Sequence, residues 1–144
     1  MSKFSNLQKY EIAADKAVKY DLVDIQMNGK TPFVMVKPAT EANKPFAKAQ
    51  LARSNKRIKA ASARGVSLET LEASRDDDRD LYPKHIITGW GNVFDNDGGE
   101  VAFSVENCKE FLDALPGWIF DALRVFCTTP SNFAGVVDGE ELGN

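Results

Sequence analysis

The run from Ile86 to Phe133, IITGWGNVFDNDGGEVAFSVENCKEFLDALPGWIFDALRVFCTTPSNF, decides the fold class, because β-type and helical patterns follow one another within it. Asn92-Val93-Phe94 and Glu100-Val101-Ala102-Phe103 flank Asp95-Asn96-Asp97-Gly98-Gly99, a glycine-containing turn that predicts a short hairpin. Ser104 is placed to N-cap a helix with Glu106 in its first turn. That helix presents Val105, Cys108, Phe111, Leu112 and Leu115 on one face until Pro116-Gly117 breaks it. A second helix presents Trp118, Ile119, Ala122, Leu123 and Phe126 at helical spacing. Two such helices predict an αα-hairpin over a common core, with Phe133 folding back onto it. Just upstream, the glycines on either side of Trp90 predict a bend that sends the indole into a core or a groove.

Toward the N-terminus the pattern changes twice. Val18, Tyr20 and Leu22 alternate with Lys19 and Asp21, and Phe33-Val34-Met35-Val36 answers them across Asn28-Gly29, which predicts a β-hairpin. The alternation slips between Leu22 and Val23, so a bulge or a strand buried on both faces is expected there, and Pro38 ends the second strand. Asn43 to Arg64 then reads as a long helix whose small or apolar stripe is Ala47, Leu51, Ser54, Ile58 and Ala61. A stripe this weak needs support from the rest of the chain or from a partner. Gly65 ends the helix and Ser67 caps another, which Pro83 is expected to disturb.

The two helices differ in charge. The first carries Lys44, Lys48, Arg53, Lys56, Arg57, Lys59 and Arg64 and no acid; the second carries Glu69, Glu72, Asp76, Asp77, Asp78 and Asp80 against Arg75 and Arg79. Mutual attraction in a helical hairpin accounts for this more simply than nucleic-acid binding, since the basic stretch has only Phe46 for base stacking. The expected architecture is α+β: a mainly helical single domain, with an N-terminal β-hairpin and a short second hairpin leading into a C-terminal αα-hairpin. It divides into an N-terminal segment (1–16), the domain (17–133: hairpin 17–40, charged helices 43–82, Trp/hairpin/two-helix cassette 84–133) and a flexible tail (134–144).

At 144 residues, 43% apolar and 27% charged, the chain is long enough to bury a core of its own. Its net charge of −3 gives no overall attraction to nucleic acid or anionic membrane. No apolar run is long enough to span a membrane, and the first residues lack the apolar stretch of a signal peptide, so a cytoplasmic location is expected. Cys108 and Cys127 fall inside predicted helices and read as small core hydrophobes.

Little in the sequence carries chemistry. There is no phosphate loop and no Ser/His/Asp set, and His85 is the lone histidine, so neither zinc nor a Cys/His nucleophile is supported. Counting Asp95 as position one of a calcium loop puts Asp97 at three and Glu106 at twelve, but Gly99 at five has no ligand and Glu100 stands where glycine is required. The segment therefore reads as a solvated turn, and no catalytic residue, cofactor or metal is expected.

Beyond these readings, the order Ile86-Ile87, Gly89-Trp90, Asn92-Val93, Asp95, Gly98-Gly99-Glu100-Val101, Phe103-Ser104, Glu106-Asn107, Leu115-Pro116 and Asn132-Phe133 resembles the tail assembly chaperones of long-tailed bacteriophages. Upstream, Asn43 and Phe46, then Gly65, Ser67 and Glu69, are similar to the same family. The resemblance implies a non-enzymatic protein of the host cytoplasm that binds the tape measure protein, keeps it soluble and is absent from the mature virion. It also implies contact with the tail tube protein, through a longer frameshifted form where one exists. Expected client contacts are Leu51, Ile58, Trp90, Trp118 and Phe126. Self-association is compatible with these features, and a structural virion component such as a connector or tail-completion subunit is the competing reading.

Overall fold

The fold is taken from a computed structural model. It describes residues 3–64 and 68–134, with the side chains of 57–64 and 68–71 outside the description. Three strands, β1 (Val18–Asp21), β2 (Phe33–Val36) and β3 (Ile87–Gly91), form an antiparallel sheet in the order β1-β2-β3. Among the described residues four α-helices accompany them: α1 (Lys44–Arg64), α2 (Leu68–His85), α3 (Val105–Ala114) and α4 (Gly117–Cys127). The architecture is α+β, as expected from the sequence.

The first hairpin closes as predicted. Asn28 and Gly29 both take positive φ, 53° and 75°, between the bridged residues Met27 and Lys30, the backbone that an Asn-Gly hairpin turn requires. The slip after Leu22 is neither a bulge nor a doubly buried strand. β1 stops at Asp21, Leu22 is buried, and the chain turns through Val23, which is 72% exposed.

β3 replaces the expected bend around Trp90. Met35 pairs with Gly89 and Val36 with Ile87, which leaves Thr88 as an extra residue whose hydroxyl donates to the Met35 carbonyl. The bulge lets Ile87 and Trp90, three residues apart, face the same core beside Val36 and Val34. Gly91 serves the opposite face. The Phe33 ring lies where a Cβ on Gly91 would stand, so only glycine fits there.

Asn43 joins the sheet to α1 and α2. Its side-chain amide, in a residue only 7% exposed, donates to the carbonyls of Pro38 (3.1 Å) and His85 (3.0 Å), while Phe46 and Ala49 turn toward the core. The stripe predicted on α1 is therefore displaced: Leu51 is 61% exposed. The side chains of Ile58 and Ala61, and the Gly65–Ser67 turn, lie outside the described residues.

α2 continues through Pro83 to His85, three residues beyond the expected end of the charged helices at 82. The proline sits in the last turn, where only the bond to the Arg79 carbonyl is lost, and the buried Leu81, Tyr82 and Ile86 hold that turn in the core. The chain therefore passes directly from α2 into β3.

Ser104 caps α3 as predicted, its hydroxyl accepting from the Asn107 amide at 3.0 Å. Cys108, Leu112 and Leu115 are buried, whereas Val105 is 45% exposed. α4 is rotated from the expected stripe. Ile119, Phe120, Leu123 and Cys127 face inward, Phe126 is half-buried, and Trp118 and Ala122 point out. The two helices share a core, but the close helix pairings are α1 with α2 and α2 with α3, so α3 and α4 do not pack along their lengths as a simple hairpin.

Phe46, Tyr82 and Phe120 run through the centre as successive edge-to-face pairs with centroids 5.9 and 5.4 Å apart. Each fully buried ring contributes about 2–3 kcal/mol. Phe133 folds back against Phe126, and its carbonyl accepts from the Ala13 amide at 2.7 Å, tying the N-terminal segment to the end of the domain. Of the predicted tail, residues 135–144 lie outside the described residues.

Candidate functional site

The charge run of α2 is internal machinery. Asp78, 7% exposed, accepts from Arg124 of α4 at 2.8 Å. Arg75 forms a two-point pair with Asp121 (3.0 and 2.7 Å), its guanidinium lying where a Cβ on Gly117 would approach to 2.6 Å. Arg79 donates to the Leu112 and Leu115 carbonyls, both at 3.0 Å, satisfying the C-terminal end of α3. Asp80 accepts from Arg53 of α1 at 3.0 Å and from Lys109 of α3 at 3.1 Å. Arg79 and Arg124 both stack on the Phe120 ring. One and a half turns of α2 thus hold the other three helices, and the attraction predicted between α1 and α2 is one part of that hub.

The expected contact residues separate into two kinds. Trp90 is half-buried, with its indole N–H donating to the Val101 carbonyl at 2.8 Å and its ring against Phe103 and Phe111. Phe126 is likewise half-buried, between Tyr20 and Phe133. Trp90 and Phe126 thus belong to two different aromatic clusters, and both brace the core. Leu51 and Trp118 are exposed, at 61% and 62%, on α1 and α4. The side chain of Ile58 lies outside the described residues.

Trp118 has a neighbour that the sequence did not single out. Val125, 65% exposed, follows Trp118 by seven residues and the exposed Ala122 by three, which makes a continuous apolar stripe on the outer side of α4. The signal was present: only Asp121 and Arg124 interrupt the apolar residues of α4, and a helix apolar on all sides is normally covered on all sides.

The expected second hairpin closes on a single Phe94–Glu100 bridge and not on paired strands, and a second surface lies between its Asp95–Gly99 turn, the Asn28-Gly29 turn and α3. It is an open groove of about 480 Å³, with Met27, Trp90, Val93 and Phe111 as its apolar part and Asp95 and Glu110 among its polar lining. Asp95 also stabilises its own turn, its Oδ1 accepting from the amides of Asp97 (2.9 Å) and Gly99 (2.8 Å).

The groups with chemical potential are placed as follows. Cys108 and Cys127 are free and buried. Burial pushes the Cys108 thiol up to about 12, and burial with the nearby Asp78 charge raises Cys127 as well. Both thiols stay protonated and poorly nucleophilic at neutral pH. His85, its proton affinity lowered by partial burial and by Lys84, ends α2. Among the described residues no group of three His, Cys, Asp or Glu is arranged to hold a metal ion, and no helix is long and apolar enough to cross a membrane. The arrangement leaves three kinds of surface exposed: an apolar helix stripe, an acid-lined groove and a basic helix face.

Among known families, a model described as YdaY prophage protein matches residues 42–144, a span that holds α1 to α4 and the α4 stripe but leaves out the first hairpin and with it Met27 of the groove. No curated protein and no solved structure matches the chain.

Proposed function

The chain belongs to the YdaY prophage protein family, and from that premise we propose that it is a non-enzymatic tail assembly chaperone that binds the tape measure protein in the host cytoplasm. The observation that carries this reading is the exposed stripe Trp118, Ala122 and Val125 on α4. A long helical client has apolar stripes of its own that aggregate when left uncovered, and a helix face with the same spacing can cover them in turn. Covering the exposed part of Trp118 removes on the order of 150 Å² of largely apolar surface from water, roughly 4 kcal/mol before the costs of association. Contact with the tail tube protein, through a longer frameshifted form, extends the same role.

Co-expression with the tape measure protein of the same prophage tests the reading. The wild-type chain is expected to bring the client into the soluble fraction. Replacing Trp118 and Val125 together by serine should abolish that effect while leaving the thermal unfolding of the chain itself near the wild-type value. A client equally insoluble with and without the chain, or equally soluble with the double variant, defeats the proposal. Recovery of the chain in fixed copy number from purified particles would favour a connector instead.

A further inference from the structure

We propose that the groove bounded by α3 and the two hairpin turns is a self-association site that receives the outward face of α1 from a second copy of this chain. The inference goes beyond the chaperone reading and does not depend on a tail client.

The groove offers Met27, Trp90, Val93 and Phe111 as an apolar bed and Asp95 and Glu110 as exposed acids, and no base lines it. It is large enough for several side chains. Exposed Asp97, Glu100 and Glu106 add negative charge nearby, whereas Lys109 of α3 is engaged by Asp80 and Asp113. Lys30 stands over the Phe94 ring, 5.8 Å from its centroid. Methionine on such a surface adapts to the shape of whatever docks.

The complementary surface is on the same molecule. Lys44, Lys48, Leu51, Ala52 and Lys56 are all exposed on α1 at spacings of four, three, one and four, which is one helix face with leucine at its centre and lysines around it. Among the described residues these three lysines make no ion pair, and α1 contains no acid. Arg53 is turned the other way, onto Asp77 and Asp80. An apolar anchor between positive charges matches an apolar bed beside negative ones, and helix-in-groove docking uses both terms.

Within one chain the two surfaces do not meet. The groove is open while α1 is fixed by Phe46 and Arg53 with its lysine face outward. The contact is therefore made between copies, head to tail. Such an interface uses different patches on its two sides, so it continues into a ring or a short filament rather than stopping at a symmetric dimer.

Sedimentation velocity on the full chain tests this. At about 50 mM salt, association beyond the dimer that grows with protein concentration is expected, and it should dissolve at about 500 mM, where surface charges are screened. Glu110→Lys and Lys48→Glu, both at exposed positions, should each weaken association by about tenfold or more without changing the melting temperature. An equimolar mixture of the two variants should associate again, because each supplies the surface that the other lacks. A wild-type chain that stays monomeric at low salt overturns the proposal. So does association unchanged in both variants, or a mixture no stronger than its components.

Discussion

α1 and α2 are both densely charged, yet the structure uses their charges in opposite ways. In α2, Arg75, Asp78, Arg79 and Asp80 all point at other helices and are held there by partners within 2.7 to 3.1 Å. In the described part of α1 only Arg53 does this, while Lys44, Lys48 and Lys56 face solvent. Charge density in a sequence therefore does not distinguish a strut from a surface. The distinction lies in what surrounds each charge: α2 is tied to all three other helices and has acids and bases interleaved, whereas α1 packs closely on α2 among the described residues and carries a single sign of charge.

The largest test of that difference is Arg124→Ala. The guanidinium pairs with Asp78, whose side chain is 10% exposed, and also with Asp121, and it covers one side of Phe120. Removing one partner of a buried pair leaves the other in a low-dielectric site that its remaining contacts do not fully offset. We expect a loss of about 3 kcal/mol in denaturant unfolding. A loss under about 1 kcal/mol would place the α2 hub in the same class as an ordinary surface pair.

A gentler probe of the same hub is acid. The Arg75 hydrogen bond, with help from Arg124, holds the Asp121 carboxyl below its ordinary value of 3.8. Asp80 is held low too: burial works against this, but hydrogen bonds from Arg53 and Lys109 prevail. The folded chain thus binds these protons less readily than the unfolded chain. Their contribution is complete above the ordinary aspartate value and is lost as pH falls through the lower folded values. Stability should decline below about pH 4, and Arg75→Ala should make that decline shallower. An acid limb of equal slope in the variant would show that Asp121 is not part of it.

How far these roles were legible in the sequence depends on whether a local pattern had a single physical solution. Asn28-Gly29 and Ser104 did, because a positive-φ turn and an N-cap are set by one or two residues. β3 did not: the bulge at Thr88 puts Ile87 and Trp90 on one face at an odd spacing, so the strand shows no alternation, and its two glycines, of which Gly91 makes room for Phe33, look like a bend. The inward face of α4 was hidden for another reason. Apolar residues on every side let periodicity choose Trp118 when packing chose Phe120. Pro83 suggested a break that core burial around the final turn of α2 removes. The candidate surfaces were the least legible part, since Leu51 and Trp118 are conspicuous in the sequence but the groove exists only once α3 and the two hairpin turns meet.

The smallest expected effect completes the comparison from the other side. Lys48→Ala or Lys56→Ala removes an exposed lysine that makes no ion pair among the described residues, from a helix in which alanine is the better former. Stability should therefore stay within about 0.5 kcal/mol of wild type, with any change favouring the variant. A larger destabilisation would mean that these lysines are struts after all, and α1 would lose its claim to be a surface held ready for a partner. Unchanged stability together with weakened self-association at low salt would separate the two helices cleanly: charges in α2 that make the fold, and charges in α1 that the fold only displays.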